Sequence, residues 1–345
     1  MNSDLKYVYK SQYLECFFLE GNSEYLLITF NEMGFTSQGT LWGENIARRM
    51  RTNTLGFVST TPNWYPNDDF GNAVRTANEF LGDRFPERIA YGHSMGGYGA
   101  IKWSRSLKID CVMAFCPQYS IDPADINDPR FNRYFRPNLN SGMAIDSSDA
   151  AGNIYVFYDA SNQRDSHQVM KIAAKISLNL VPVANSGHET VKVFAGRSNF
   201  PSLLEICRHG RSDDLRQFVR AAARRGPERG FNIALRLVQS RPEWACRIFD
   251  RYRHTISYPR WTELCVQLSR AGFHQQALGW LREAYENRPD DPPVMAGLAR
   301  LLILGKNWVE AEELIKRLAE VAPGDPRYSK LFSWLDNRTT SANKK

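Results

Sequence analysis

The chain has little cysteine. Among its 345 residues there are six, at positions 16, 111, 116, 207, 246 and 265, with no CxxC pair and no dense spacing. This excludes a disulfide framework, and the thiols are expected to be reduced and mostly buried, as in a reducing compartment. No metal-ligand cluster, phosphate-binding glycine loop or dinucleotide fingerprint occurs, so no metal and no cofactor is expected. No run of 18 apolar residues is present, which excludes a spanning helix of ordinary length. The first residues, MNSDLKYVYKSQYLECFF, lack a basic stretch followed by an apolar one. No secretory signal is therefore expected, and a soluble, cytoplasmic protein is. Polarity is not extreme either: 43% of the residues are apolar, which excludes wholesale disorder.

What is present is length enough for two domains and an uneven charge. The net charge of +7 on its own invites a nucleic-acid reading. Residues 1–200 carry 19 Lys and Arg against 20 Asp and Glu, a net of −1, whereas residues 201–345 carry 25 against 17, a net of +8. The excess is mostly arginine spread over helices, which reads as solvated faces and internal ion pairs, with an acidic partner as the sharper alternative. Nucleic acid is not the expected partner. We expect a first domain over residues 1–200, a helical second domain over 201–338, and a disordered tail at 339–345 (TTSANKK).

In the first part, short apolar runs alternate with helical spacing. Tyr13–Leu19 and Tyr25–Phe30, separated by Gly21-Asn22-Ser23, predict an antiparallel start to a sheet. Further strands are expected at Leu55–Ser59, Arg88–Tyr91, Cys111–Phe115, Ile154–Tyr158 and Val181–Ala184. Helices are expected over 43–51, 70–81, 98–107 and 166–178. This alternation argues for a mostly parallel sheet with helices on both faces.

The strand at 88–91 runs into Gly92-His93-Ser94-Met95-Gly96-Gly97, and a helix-compatible stretch follows. This is the strand–turn–helix context of a G-x-S-x-G nucleophile elbow. The turn forces the serine into a strained conformation, and the flanking glycines remove the Cβ clashes. The hydroxyl is left at a helix N-terminus, where free N–H groups favour a developing oxyanion.

With these residues, the stretch of roughly 10–200 resembles the α/β-hydrolase superfamily. The resemblance implies an eight-stranded type of sheet, a Ser94 nucleophile, and a triad in the chain order Ser, acid, His. His188, in Asn185-Ser186-Gly187-His188-Glu189 after the last strand, is the expected base. His93 lies within the elbow with its side chain expected to point away, and His167 lies at a helix start. For the acid, Asp159 sits at the end of the strand 154–158, and Asp165 lies a few residues on, before a helix. Asp165 is favoured because it resembles the family's usual placement; the plainer reading makes it a helix N-cap. The oxyanion N–H groups are expected from Met95 and from the loop Asn31-Glu32-Met33-Gly34, with Met33 favoured over Glu32. The family commonly reads His-Gly there. Asn31-Glu32 departs from it, which leaves Glu32 as either an outward loop residue or a specificity residue.

The segment 118–149 is polar, with Arg, Tyr and Phe interleaved, and is too short for a large apolar lid. Trp64-Tyr65-Pro66 lies on another loop at the same edge. These rings either stack on a sugar or, more simply, pack the loops.

In the second part Trp261, Leu264, Leu268, Gly272, Ala277, Leu281, Ala284 and Pro289 fall at tetratricopeptide spacing. Adding 34 gives Met295, Leu298, Leu302, Lys306, Ala311, Ile315, Leu318 and Pro323. Two units over about 258–325 thus resemble tetratricopeptide repeats, and 203–253 reads as divergent helices. Such repeats usually bind a protein segment in a concave groove; the alternative expectation is that the array packs on the first domain and shapes its site.

The expected function is a serine esterase or deacylase acting on a small-molecule or glycan acyl ester, an acetylated polysaccharide included. An acyltransferase would use the same three residues, and a non-catalytic adaptor is the rival from another class.

Overall fold

The computed structural model describes residues 5–36 and 38–342, with side chains described through Asn337. Two compact units, Met1–Gly226 and Pro227–Lys345, divide the chain.

The first unit is built on eight strands: β1 (Leu5–Lys10), β2 (Leu14–Leu19), β3 (Leu26–Phe30), β4 (Asn53–Ser59), β5 (Arg88–His93), β6 (Cys111–Phe115), β7 (Asn153–Tyr158) and β8 (Asn179–Pro182). Their order in the sheet is β1-β2-β4-β3-β5-β6-β7-β8. β2 runs antiparallel to β1 and β4, and every pairing from β4 through β8 is parallel. The antiparallel start exists, but it is not a β2–β3 hairpin, because β4 lies between those two strands. β3 (LLITF) is buried at every position, and a strand apolar on both faces belongs in the middle of a parallel sheet. β1 has no fully buried residue and so gave no apolar run to read.

Seven helices accompany the sheet: α1 (Glu44–Met50), α2 (Asn67–Leu81), α3 (Met95–Lys102), α4 (Pro137–Asn140), α5 (Gln163–Ala173), α6 (Asn199–Arg208) and α7 (Ser212–Arg224). The period-2 alternation of strand side chains divides the core. Ile28, Ala90, Val112 and Val156 pack with Phe70, Ala73, Ile101, Val169 and Ile172 of α2, α3 and α5 on one face. Leu27, Ile89, Met113 and Phe157 pack with Phe200, Leu203, Leu204, Leu215 and Val219 of α6 and α7 on the other. These contacts carry the first compact unit past the expected boundary at residue 200. Two helices read from sequence as part of the repeat region instead cover much of the second face of the sheet, beside α1 and the stretch Thr190–Phe194. Charge moves with the boundary: residues 1–226 carry a net +2 and residues 227–345 a net +5.

The second unit is all helical: α8 (Arg229–Leu237), α9 (Pro242–Tyr252), α10 (Tyr258–Leu268), α11 (His274–Asn287), α12 (Pro292–Leu304), α13 (Trp308–Val321) and α14 (Ser329–Ala342). α12 and α13 begin 34 residues after α10 and α11. Trp261, Leu264, Leu268, Ala277, Leu281 and Ala284, with the counterparts Met295, Leu298, Leu302, Ala311, Ile315 and Leu318, are all buried in one cluster. The mismatch at Gly272/Lys306 is one of residue type only. Both occupy left-handed backbone between their helices, with φ of 97° and 60°. Several arginines here pair internally, as in Arg253–Glu283, Arg260–Glu263, Arg282–Glu310 and Arg317–Asp290. The expected disordered tail is helical as far as Ala342, and residues 343–345 lie outside the described residues. All six cysteines are free and buried. Among the described residues, no helix is long and apolar enough to cross a membrane.

Candidate active site

β3, β5, β6, β7 and β8 all end on the same edge of the sheet, and the loops that leave them converge there. β5 turns directly into α3 at Ser94, whose φ of 52° and ψ of −118° are strained for a residue with a Cβ. The glycines make this turn sterically feasible. A Cβ on Gly92 would lie 2.2 Å from the Gly96 carbonyl oxygen, and one on Gly96 would lie 2.3 Å from the Phe30 carbonyl oxygen. The elbow therefore packs backbone to backbone against the end of β3, beside the 31–34 loop. Met95 opens α3, so its N–H belongs to the first helical turn and has no partner within the helix. Met33 is half-buried in the turn that follows β3.

His188 Nε2 lies 3.1 Å from Ser94 Oγ, and His188 Nδ1 lies 2.8 Å from Asp165 Oδ2. Asp165 is 1% exposed. It is not the N-cap of α5: Asn162 caps that helix by accepting from the Asp165 N–H, and the Asn162 amide also donates to Asp165 Oδ2 at 2.7 Å. Burial alone would raise the Asp165 pKa, but His188 and Arg130 outweigh it and hold the carboxyl below its ordinary range. Asp159 faces elsewhere. It accepts from the Ser161 N–H and hydroxyl, and from the Gly187 N–H at 2.9 Å, so it ties down the loop that carries His188. Thr190 and Ser186 hydroxyls bond backbone carbonyls of the same loop.

Two residues that sequence reasoning did not single out stand beside this chain of groups. Arg130 Nη1 donates to Asp165 Oδ1 at 2.7 Å, while Asp128 grips the same guanidinium through both of its oxygens. Gln118 Nε2 lies 3.2 Å from Ser94 Oγ. Both come from the polar segment after β6. The Asp128-x-Arg130 pair is legible locally, but its target lies 35 residues on, and no local spacing announces that.

The Glu32 side chain is 37% exposed, with its carboxylate turned to His93. Its carboxylate lies 2.5 Å from His93 Nδ1, and His93 Nε2 faces the His188 carbonyl oxygen at 3.0 Å. His93 does point away from the Ser94 hydroxyl, into a bridge between the β3 loop and the His188 loop. Both partners are acceptors, so the ring carries both protons. Burial disfavours that charge, but Glu32 and the His188 carbonyl outweigh it and raise the His93 pKa. Asn31 anchors the same loop: its side-chain oxygen accepts from the Ser59 N–H at 2.7 Å and the Tyr65 hydroxyl at 2.9 Å.

Of the two readings of the Trp64-Tyr65 rings, the plainer one fits their burial. Trp64 and Tyr65 are each 1% exposed. Trp64 packs edge-on against Phe131, and Tyr65 against Phe30 and Phe70. They pack the loops. Cys116 is also no rival nucleophile, because burial pushes its thiol pKa well up. Cys116, Asp165 and His188 do present donor atoms within 4.8 Å of one another. Yet both His188 nitrogens and both Asp165 oxygens already have protein partners, which suits a hydrogen-bonded relay rather than a cation.

Residues 268–335 match the family model of a tetratricopeptide repeat. No curated protein sequence matches the chain significantly. Among solved structures, the chain is similar to the capsule O-acetyltransferase of Neisseria meningitidis serogroup A, at 13% identity over 54% of this chain and 89% of that one, with a TM-score of 0.42. It is similar to Est1E from Butyrivibrio proteoclasticus at 11% identity over 64% and 99%, TM-score 0.39. It is also similar to alpha/beta hydrolase domain-containing protein 10 from mouse at 12% identity over 61% and 99%, TM-score 0.38. The eight-stranded, mostly parallel sheet with helices on both faces and a serine elbow after β5 gives the first unit the α/β-hydrolase fold, and an all-helical region with a tetratricopeptide repeat follows it.

Proposed function

We propose that the protein is a serine hydrolase, an esterase or deacylase, in which Ser94, His188 and Asp165 act as the triad. The hydrogen-bonded sequence Ser94 Oγ, His188 Nε2, His188 Nδ1, Asp165 carboxylate carries this reading. Ionised Asp165 accepts the Nδ1 proton, which leaves the Nε2 lone pair for the Ser94 hydroxyl. As Oγ attacks an acyl carbonyl, its proton passes to Nε2 and then to the departing alcohol. The Met95 and Met33 N–H groups take the oxyanion, and water releases the acyl group by the same steps.

We infer a polar, short-chain acyl ester as substrate, acyl esters of sugars included. The segment after β6 offers no apolar lid: its single helix, α4, has four residues, and it brings polar groups to the site, Gln118 to Ser94 and Arg130, held by Asp128, to Asp165. Delivery of the acyl group to a sugar hydroxyl in place of water would use the same residues. The tetratricopeptide region is proposed to bind a protein segment.

A fluorophosphonate probe should label the native protein, and labelling and p-nitrophenyl ester turnover should both vanish in Ser94→Ala. Turnover that survives in Ser94→Ala would sink the proposal. Across p-nitrophenyl esters of rising chain length and acetylated sugars, short and polar substrates should lead, and a preference for long chains would refute the substrate class.

A further inference from the structure

We propose that Gln118 is a further catalytic residue, an N–H donor to the nucleophile oxygen itself; the inference rests on the triad reading above. The orientation of its carboxamide follows from chemistry. Trp64 Nε1 lies 3.0 Å from one terminal atom of Gln118, and an indole N–H only donates. That atom is therefore the oxygen, and the amino group faces the other way. There it meets two acceptors, the Cys116 carbonyl and Ser94 Oγ, each at 3.2 Å. Each of its two N–H bonds has one acceptor.

The frame around the amide is rigid. Gln118 and Trp64 are each 1% exposed. The Asn140 amide donates to the Asn63 carbonyl at 2.8 Å, and Asn63 Oδ1 accepts from the Tyr65 N–H at 3.0 Å. Both bonds pin the loop on either side of the indole. The donor is thus held in place before any substrate arrives, as electrostatic stabilisation requires. Gln118 follows β6 and Met33 follows β3, and these strands flank β5 on opposite sides. The amide therefore approaches Oγ from the side away from the 31–34 loop.

Two consequences follow. In the resting enzyme Oγ accepts from Gln118, so its own hydrogen is committed to His188 Nε2. In deacylation, the oxygen of water bonds to the acyl carbon while its proton passes to His188 Nε2. The acyl C–Oγ bond then breaks, its electron pair moves onto Oγ, and Oγ recovers the proton from His188. The Gln118 N–H stabilises Oγ as that pair arrives, and no further reactant is needed.

The test is pre-steady-state hydrolysis of p-nitrophenyl acetate by the full chain, with the burst giving acylation and the steady phase deacylation. Gln118→Met should lower the deacylation rate constant by about 10- to 100-fold, with the substrate dissociation constant unchanged. Fluorophosphonate labelling to full stoichiometry would show that the variant is folded. A folded variant with both rate constants within about twofold of the parent would overturn the proposal. If Gln118→Met does not fold, Gln118→Glu decides. It keeps size and the Trp64 bond but presents an acceptor to Oγ, and parental deacylation in it would equally overturn the proposal. Turnover surviving in Ser94→Ala would instead refute the triad reading beneath.

Discussion

At the scale of single residues, two aspartates that follow β7, Asp159 in the loop and Asp165 in the first turn of α5, have opposite assignments that can be tested. Asp165 holds the Nδ1 proton of His188, and its second oxygen takes Arg130. Asp159 holds only the backbone of the His188 loop. Asp165→Asn should lower kcat by about 10³- to 10⁴-fold, because an amide in that position favours the wrong imidazole tautomer. Asp159→Asn retains an oxygen for the Gly187 N–H and should stay within about tenfold of the parent. Steady-state ester hydrolysis measures both, and a reversed order would exchange the two roles. From sequence, the choice rested on a position relative to a strand end. In the structure it rests on which carboxylate meets the imidazole, with Asn162 rather than Asp165 capping the helix.

At the scale of elements, the Glu32–His93 ion pair, with the His93 hydrogen bond to the His188 carbonyl, ties the loop after β3 to the loop after β8 on either side of the proposed site. Glu189 also favours the charge on His93, and Lys192 favours the charge on Glu32. The His93 pKa is raised above its ordinary 6.5. Its contribution to stability is therefore complete below that value and is lost as pH rises through the folded-state pKa. The Glu32 pKa is lowered from 4.5, burial being outweighed by His93. Its contribution is present above 4.5 and is lost as pH falls through the lower, folded-state value. Between these limits the bridge is intact. The melting temperature of the parent minus that of Glu32→Gln should be largest near about pH 5 to 6 and shrink toward about pH 9. A difference that stays flat with pH would show that the bridge is not ionic. In the repeat helices, spacing was legible because the large apolar and alanine side chains at the repeat positions are buried by their neighbours. At Gly272 and Lys306 the residue type differs, and it is the backbone conformation that repeats.

At the scale of the whole molecule, the first unit closes at Gly226. Phe200, Leu203, Leu204, Cys207, Leu215, Val219 and Ala222 are buried in the cluster that covers one face of the sheet. Exposing them costs about 10 kcal/mol at roughly 1.5–3 kcal/mol per large side chain, comparable with the whole stability of a domain. A fragment of residues 1–226 should melt cooperatively by circular dichroism, whereas residues 1–200 should not. Cooperative melting of the shorter fragment would return the boundary to residue 200.

Local pattern by itself determined the alternation of strands and helices, the serine elbow with Ser94, and the repeat spacing. Each of these is written in residues close together in the chain, through side-chain periodicity, glycine sterics or a short motif, whereas His188 and the preference for Asp165 over Asp159 came from the order that the family resemblance implies. Tertiary structure alone decided the insertion of β4 between β2 and β3. It also decided the capture of α6 and α7 by the sheet, and the meeting of Glu32 with His93, Arg130 with Asp165 and Gln118 with Ser94. Those contacts join segments 24 to 61 residues apart. Their geometry depends on where the sheet brings its strand ends together, which no single stretch of sequence encodes.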